Sequence, residues 1–257
     1  MAKLFPMRTK LVPVDDNINP IPGALIHRLT EFTKKHYQVE NSRLVVETIL
    51  KPGHAGELVV FYGEADEIAG YTRICRQRVQ GAGKTIITYS ASTYTNQIHD
   101  LTYTGARLGL TQVMKYKLAH PEEELVYFSS VSSPDKYRFL VELYQGCYPQ
   151  PGMIMPESIS EQVNDLKEYH GWASSLTHPM LISGQLKPLN PPKMMATEAT
   201  DQLIDYYCSL NPDCEAGNAL LVYIPLDLTN IKQGIRQLVT HTPDARLRVD
   251  QSLTECA

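Results

Sequence analysis

The run Gly81-Ala82-Gly83-Lys84-Thr85 has the Gly-Lys-Thr ending of a phosphate-cradling loop, so phosphate chemistry is the first possibility to weigh. That loop also requires a glycine five residues before the Gly-Lys pair, where the chain has Arg78, and a helix after it, where Ile86-Ile87-Thr88-Tyr89 reads as a strand. Gly81 and Gly83 are expected instead to supply positive φ in a hairpin turn. A second anion site is offered by Thr102-Tyr103-Thr104-Gly105-Ala106-Arg107-Leu108-Gly109, which opens a helix. Backbone N–H groups and about half a positive charge converge at such a start, glycine admits a phosphate, and Arg107 adds a full charge. The same residues also suit an ordinary Thr-capped helix with glycines for close packing. Both readings stand at this point.

Other chemistries find less support. The eight histidines are scattered, no spacing sets two on one helical face, and no metal is expected. Asp15-Asp16 and Glu122-Glu123-Glu124 read as solvated charge runs rather than a cation cage. A serine hydrolase would want a Gly-x-Ser-x-Gly elbow, and none occurs. The five cysteines include no Cys-x-x-Cys pair, which argues for a reducing, cytoplasmic setting and against a disulfide frame. Cys75 and Cys147 are nucleophiles by type, but their apolar flanks suit small buried hydrophobes. With 24 Lys plus Arg against 28 Asp plus Glu, the chain has the wrong charge balance for a duplex nucleic-acid binder. It holds no apolar run of about 18 residues, so neither a signal peptide nor a membrane span is expected.

These candidates need elements to hold them. At 257 residues, 43% of them hydrophobic, the chain can bury a sizeable core. One domain over 1–257 is expected, its core at about 20–150, with 151–257 extending the same sheet. Residues 13–23, with Pro13, Pro20 and Pro22, read as a rigid entry to a helix that carries Leu25, Leu29, Phe32 and His36 on one face. The period then changes. Residues 44–50, 57–62, 68–79 and 84–95 are four extended candidates rich in Val, Ile, Thr and Tyr, joined by turns too short for crossovers, hence an antiparallel meander.

Ala106, Leu110, Val113 and Met114 then share one side of a helix running to about Leu118, with Pro121 beyond it. Residues 125–128 form a compact strand. Ser133-Pro134 offers an N-cap and an N1 proline to a helix carrying Tyr137, Leu140, Val141 and Tyr144, which Gly146 can end. Strand, helix, strand and helix in that order predict two parallel strands. Ser158 and Glu161 suggest a capping box ahead of Ile159, Val163, Leu166 and Tyr169, and Thr197 precedes Ala199, Leu203, Tyr206 and Tyr207 in another helix. Residues 180–186 and 219–224 read as strands, 231–239 as a last helix and 188–192 as a linker. The expected fold class is α/β in the α+β sense, a mixed central sheet flanked by helices.

This order of helix, antiparallel meander, glycine-bearing helix start, parallel strand and Pro-capped helix ending in Leu143-Tyr144-Gln145-Gly146 resembles the GNAT acyltransferase superfamily over roughly residues 20–150. The resemblance implies an acyl-CoA or acetyl-CoA co-substrate. In that family the fourth strand leads into a Gln/Arg-x-x-Gly-x-Gly/Ala loop that binds the pyrophosphate, and splayed parallel strands admit the thioester arm. Thr102 stands at the Gln/Arg position, Gly105 at the central glycine and Arg107 at the last small position, so one of three signature positions is kept. Thr104, Gly105, Arg107 and Gly109 are the residues it sets around the phosphates. Leu143-Tyr144 falls where the family carries a Leu-Tyr pair whose tyrosine protonates the departing thiolate, although Tyr144 also belongs to its helix's apolar face.

The implied reaction is attack on the thioester carbonyl by an amine or a similar small acceptor, with His99 and Asp100 as candidate bases. The acidic turn Glu64, Asp66 and Glu67 would suit a cationic acceptor and equally a solvated hairpin tip. Tyr71, Tyr89, Tyr94, Tyr103, Tyr127 and Tyr137 could line an acyl pocket or fill a half-polar core rim. The resemblance therefore implies acyl transfer from a CoA or carrier-protein thioester. The alternative is a non-catalytic binding protein of the same shape that has lost the cofactor loop. Neither nucleic acid nor membrane is expected as a partner.

Overall fold

The computed structural model describes residues 8–15, 19–50, 54–81, 83–96, 98, 101–172, 178–183, 187, 189 and 201–240. Its strands are β1 Arg8–Val14, β2 Gly56–Tyr62, β3 Ile68–Gly81, β4 Lys84–Thr95, β5 Leu125–Val131, β6 Leu181–Ile182 and β7 Ala219–Pro225. They form one sheet in the order β1-β2-β3-β4-β5-β7-β6. The pair β4–β5 is parallel and the other neighbours are antiparallel. The helices are α1 Gly23–His36, α2 Ser42–Leu44, α3 Thr102–Ala119, α4 Pro134–Leu143, α5 Glu157–His170, α6 Gln202–Leu210 and α7 Leu228–Thr240. The meander, the crossover through α3 and the capped helix after β5 thus follow the order that the resemblance implies.

Strand β2 is buried from Leu58 to Tyr62 because both of its faces are covered, which is why it reads as a continuous apolar run. Leu58, Val60 and Tyr71 pack with Leu29 and Phe32 of α1. Val59, Phe61, Ile74, Ile87 and Leu125 lie on the other face with Leu110 and Val113 of α3 and Ile231 and Leu238 of α7. Toward the far edge, Val126, Phe128 and Tyr223 pack with Tyr137 and Val141 of α4, Val163 and Leu166 of α5 and Tyr207 of α6. Helix α4 begins as expected, with the Ser133 side chain accepting from the Lys136 N–H and Pro134 in the first turn.

Several expectations are corrected. Residues 44–50 are helical, with Val45–Leu50 forming a π-helical turn after α2. Asn41 caps this segment through the amides of Arg43 and Leu44, Arg43 pairs with Glu47 at 2.6 Å, and the buried Arg73 donates to the Leu50 carbonyl at 2.9 Å. Those contacts outweigh the strand preference of the β-branched residues. Pro13 belongs to β1, where an edge position tolerates its missing N–H. Helix α5 starts at Glu157 with Pro156 as cap and no side-chain bond, so Ser158 and Glu161 form no capping box. Gly83 has φ +75, whereas Gly81 is an ordinary strand residue paired with Lys84. Asp201 caps α6 through the amides of Leu203 and Ile204, while Thr197 and most of 188–192 lie outside the described residues.

Candidate functional site

The parallel pairing of β4 with β5 consists of Ile87 with Leu125, Thr88 with Val126 and Tyr89 with Tyr127, and stops there. Both strands continue. β4 runs on to Thr95 alongside β3, and β5 runs on to Val131 alongside β7. Each strand is held on its outer side, so the sheet's twist separates their inner edges and leaves a wedge that opens toward the start of α3. Half-buried Ser90, Ala91 and Ser92 line the β4 edge. The Ser129 hydroxyl donates across the wedge to the Ala91 carbonyl at 3.3 Å. Beyond Tyr89, among the described residues, no strand pairs with the inner edge of β4.

At the wide end of the wedge, α3 begins without a side-chain cap. Leu101 is the N-cap, which corrects the expectation of a Thr-capped start. The Gly105 N–H donates to the Leu101 carbonyl at 2.8 Å, so the amides that precede the first helical bond are those of residues 102–104. Gly105 has a packing reason of its own. A Cβ there would stand 3.3 Å from the Thr72 hydroxyl and 3.8 Å from that of Thr93, two groups hydrogen-bonded to each other at 2.9 Å. Gly109 likewise lies over Ile74. The two glycines thus seat α3 closely on β3 and β4, while Arg107 is exposed on the outer side of the helix. The Tyr103 ring meets the Phe139 ring of α4 edge-on at 5.2 Å, joining the first turn of α3 to α4.

Tyr144 is half-buried in an extended conformation just past the end of α4, rather than inside the helix, and Gly146 follows with φ +66. Burial pushes its hydroxyl well above the usual tyrosine range, helped by neighbouring Tyr127 and Cys147. Tyr127 is the last β5 residue paired with β4, so Tyr144 stands beside the apex of the wedge. Helix α7 comes close here, since a Cβ on Gly234 would meet the Tyr144 ring at 3.1 Å and Leu110 at 3.0 Å. The Cys147 thiol is buried and pushed up to about 12 by desolvation, so it is an inert core group.

The remaining candidates are dispersed. His99 and Asp100 lie outside the described residues. Asp66 of the acidic turn pairs with Arg8 at 2.5 Å, and Glu67 accepts from the Ala65 amide at 2.8 Å. The six tyrosines form no common pocket. Tyr71 and Tyr94 stack on the α1 face with ring centroids 5.2 Å apart, Tyr89 and Tyr127 lie toward α3 and α7, and Tyr137 donates to the Pro149 carbonyl at 2.8 Å beneath α4. Ser129 and Phe139, which shape the wedge, carry no motif and are visible only in the folded arrangement. Among the described residues no three His, Cys, Asp or Glu side chains gather as a metal site, and no helix is long and apolar enough to cross a membrane.

No family model matches the chain, and no curated protein matches it in sequence. Similar solved structures include a GNAT family N-acetyltransferase from Escherichia coli in complex with CoA, with a TM-score of 0.36 and 8% identity, covering 54% of this chain and 69% of that one. A conserved protein of unknown function from Enterococcus faecalis, described as a probable N-acyltransferase, is similar at a TM-score of 0.36 and 8% identity over 54% of this chain and 33% of its own. The match thus spans about a third of that second protein. Likenesses this distant bear on neither substrate nor mechanism.

Proposed function

We propose that this chain is an acyltransferase that takes an acyl group from a CoA or carrier-protein thioester and passes it to an amine-type small acceptor. The observation that carries the reading is the wedge: a parallel pair that ends after Tyr89 and Tyr127 while both strands go on. Its β4 edge offers main-chain groups to an extended amide-bearing arm, and the small side chains of residues 90–92 leave room for one. An acyl-CoA or acetyl-CoA bound there supplies an activated acyl carbon.

The chain's own residues supply the rest. The amides at the start of α3, Thr104 among them, face the wide end of the wedge with the helix's partial positive charge, and Arg107 adds a flexible cation for the diphosphate. Gly105 and Gly109 act by seating the helix close to the sheet. Tyr144 is held protonated by burial and is a hydrogen-bond donor toward the departing sulfur. His99 and Asp100 are proposed to take the proton from the acceptor. The single-domain organisation and the cytoplasmic location belong to the same proposal.

One observation favours the alternative of a binding protein of this shape. The Tyr103–Phe139 contact ties α3 to α4 where the phosphates would approach. Thermal shift with acetyl-CoA and longer acyl-CoAs separates the two, because a ligand bound only by the native state raises Tm. Saturable stabilisation by any of them supports the transferase. No shift with any thioester supports the binding protein.

A further inference from the structure

On the face of the sheet that α3 covers, a cavity of about 350 Å³ opens between the second half of that helix, the start of β2 and the inner side of β1. Its α3 residues lie about 15–21 Å along the helix from its start, at 1.5 Å per residue, so it is separate from the phosphate end of the wedge. Glu57, Arg76, Tyr89, Gln112, Lys115 and Tyr116 supply its polar lining. The side chains converge because Glu57 pairs across the sheet with Ile74 and Arg76 with Tyr89, which sets all four on the α3 side.

The charges inside act on one another through space without forming a close ion pair among the described residues. Arg76 lies over the Tyr116 ring at 4.5 Å and hydrogen-bonds the Tyr89 hydroxyl, and among the described residues neither it nor Lys115 has a carboxylate within 4 Å. Gln112 reaches the Glu57 carboxyl, but Oε2 of Glu57 is buried with no hydrogen-bond partner. An orphaned buried acceptor is costly, and a donor from a bound molecule removes that cost. The complement of two cations and one orphaned oxygen is a molecule that carries carboxylate and a single hydroxyl. An ammonium in place of the hydroxyl would meet Arg76 and Lys115 as like charges.

We propose that this cavity binds a small hydroxycarboxylate, its carboxylate groups held by Arg76 and Lys115 and its hydroxyl donating to Oε2 of Glu57. Burial pushes the Glu57 carboxyl up to about 7, so near neutrality it repels an incoming anion far less than an ordinary glutamate does. The other charges facing it are Arg73 from its own sheet and Asp15, exposed at the mouth, where water screens it. The volume suits a hydroxydicarboxylate of about four to six carbons, at the small end of ligand pockets. The proposal is independent of the acyltransferase reading, since it involves neither the wedge nor a thioester.

The test is calorimetric titration of the full chain with L-malate and with succinate, which differ by one hydroxyl. Malate is expected to bind at one site and succinate at least tenfold more weakly, because a buried acceptor left unpaired discriminates strongly. Lys115→Met, at an exposed position, and Arg76→Met should each weaken malate tenfold or more. Glu57→Met should erase the difference between the two acids. Absence of malate binding, equal binding of malate and succinate, or malate affinity unchanged in Lys115→Met would each overturn the proposal. Acetyl-CoA titrated into the same variants reads the wedge separately, so the failure of either idea is visible without the other.

Discussion

Replacing Glu57 by glutamine isolates the energetic consequence of placing a carboxyl on the covered face of β2. Burial raises the carboxyl from 4.5 to about 7, against the opposing pull of Lys115, Arg76, Gln112 and Arg73. Between those pH values the folded chain holds a proton that the unfolded chain has released. Stability therefore falls as pH rises through this window, and the full penalty is present above about pH 7. At about 1.36 kcal/mol per pKa unit the whole displacement corresponds to roughly 3 kcal/mol. The group is only half-buried, and solvent screening brings the expected effect to about 1–2 kcal/mol.

Glutamine keeps the shape of the side chain and removes the charge. Glu57→Gln should match the parent protein near pH 4.5 and exceed it by about 1–2 kcal/mol at pH 8, or about 2–8 °C in Tm. Urea unfolding at both pH values in a carboxylate-free buffer measures the difference, and titrations common to the two proteins cancel. An advantage of equal size at both pH values would refute the reasoning, as would a glutamine variant less stable than the parent at pH 8.

Arg73 is 1% exposed, and its guanidinium donates to the backbone carbonyls of Leu50, Glu57, Ile74 and His54. Arg73→Met strands those acceptors and should cost about 3–5 kcal/mol in urea unfolding, and Arg73→Lys should recover little because one ammonium cannot span them. Gly234→Val pushes a side chain into Leu110 and the Tyr144 ring, where even a Cβ would stand 3.0 and 3.1 Å away. A loss of about 1–3 kcal/mol, with weaker burial of Tyr144 in its fluorescence, is expected. Tyr144→Phe should lower kcat for acyl transfer while leaving acyl-CoA affinity unchanged; lowered stability with an intact rate would make the residue purely core.

The sheet was largely legible because its strands state their faces. β2, β3 and β4 are β-branched and joined by short turns, and Ser133-Pro134 marks the start of α4 in the sequence itself. The π-helical turn Val45–Leu50 was not legible, since what holds it is Arg73, far away in sequence. β1 leaves no such signal, because its exposed Arg, Thr and Lys show no buried face. The splay is a tertiary property. Nothing local to Tyr89 or Tyr127 says that their pairing ends there while both strands continue. Gly105 and Gly109 drew attention as phosphate residues, and the fold gives them contacts with Thr72 and Ile74 that a glycine pattern alone cannot distinguish. Glu57 did leave a signal: it shares its strand face with Val59 and Phe61, where a charge is out of place unless something meets it.

Amide hydrogen exchange with and without acetyl-CoA tests the wedge most directly, because it reads the β4 edge itself. Saturating acetyl-CoA is expected to slow exchange along residues 90–95 of β4 and at residues 102–104 at the start of α3, with little change in the β3–β4 hairpin near the Gly81–Lys84 turn. Unchanged exchange at 90–95 in the presence of acetyl-CoA, or protection confined to other parts of the chain, would contradict it.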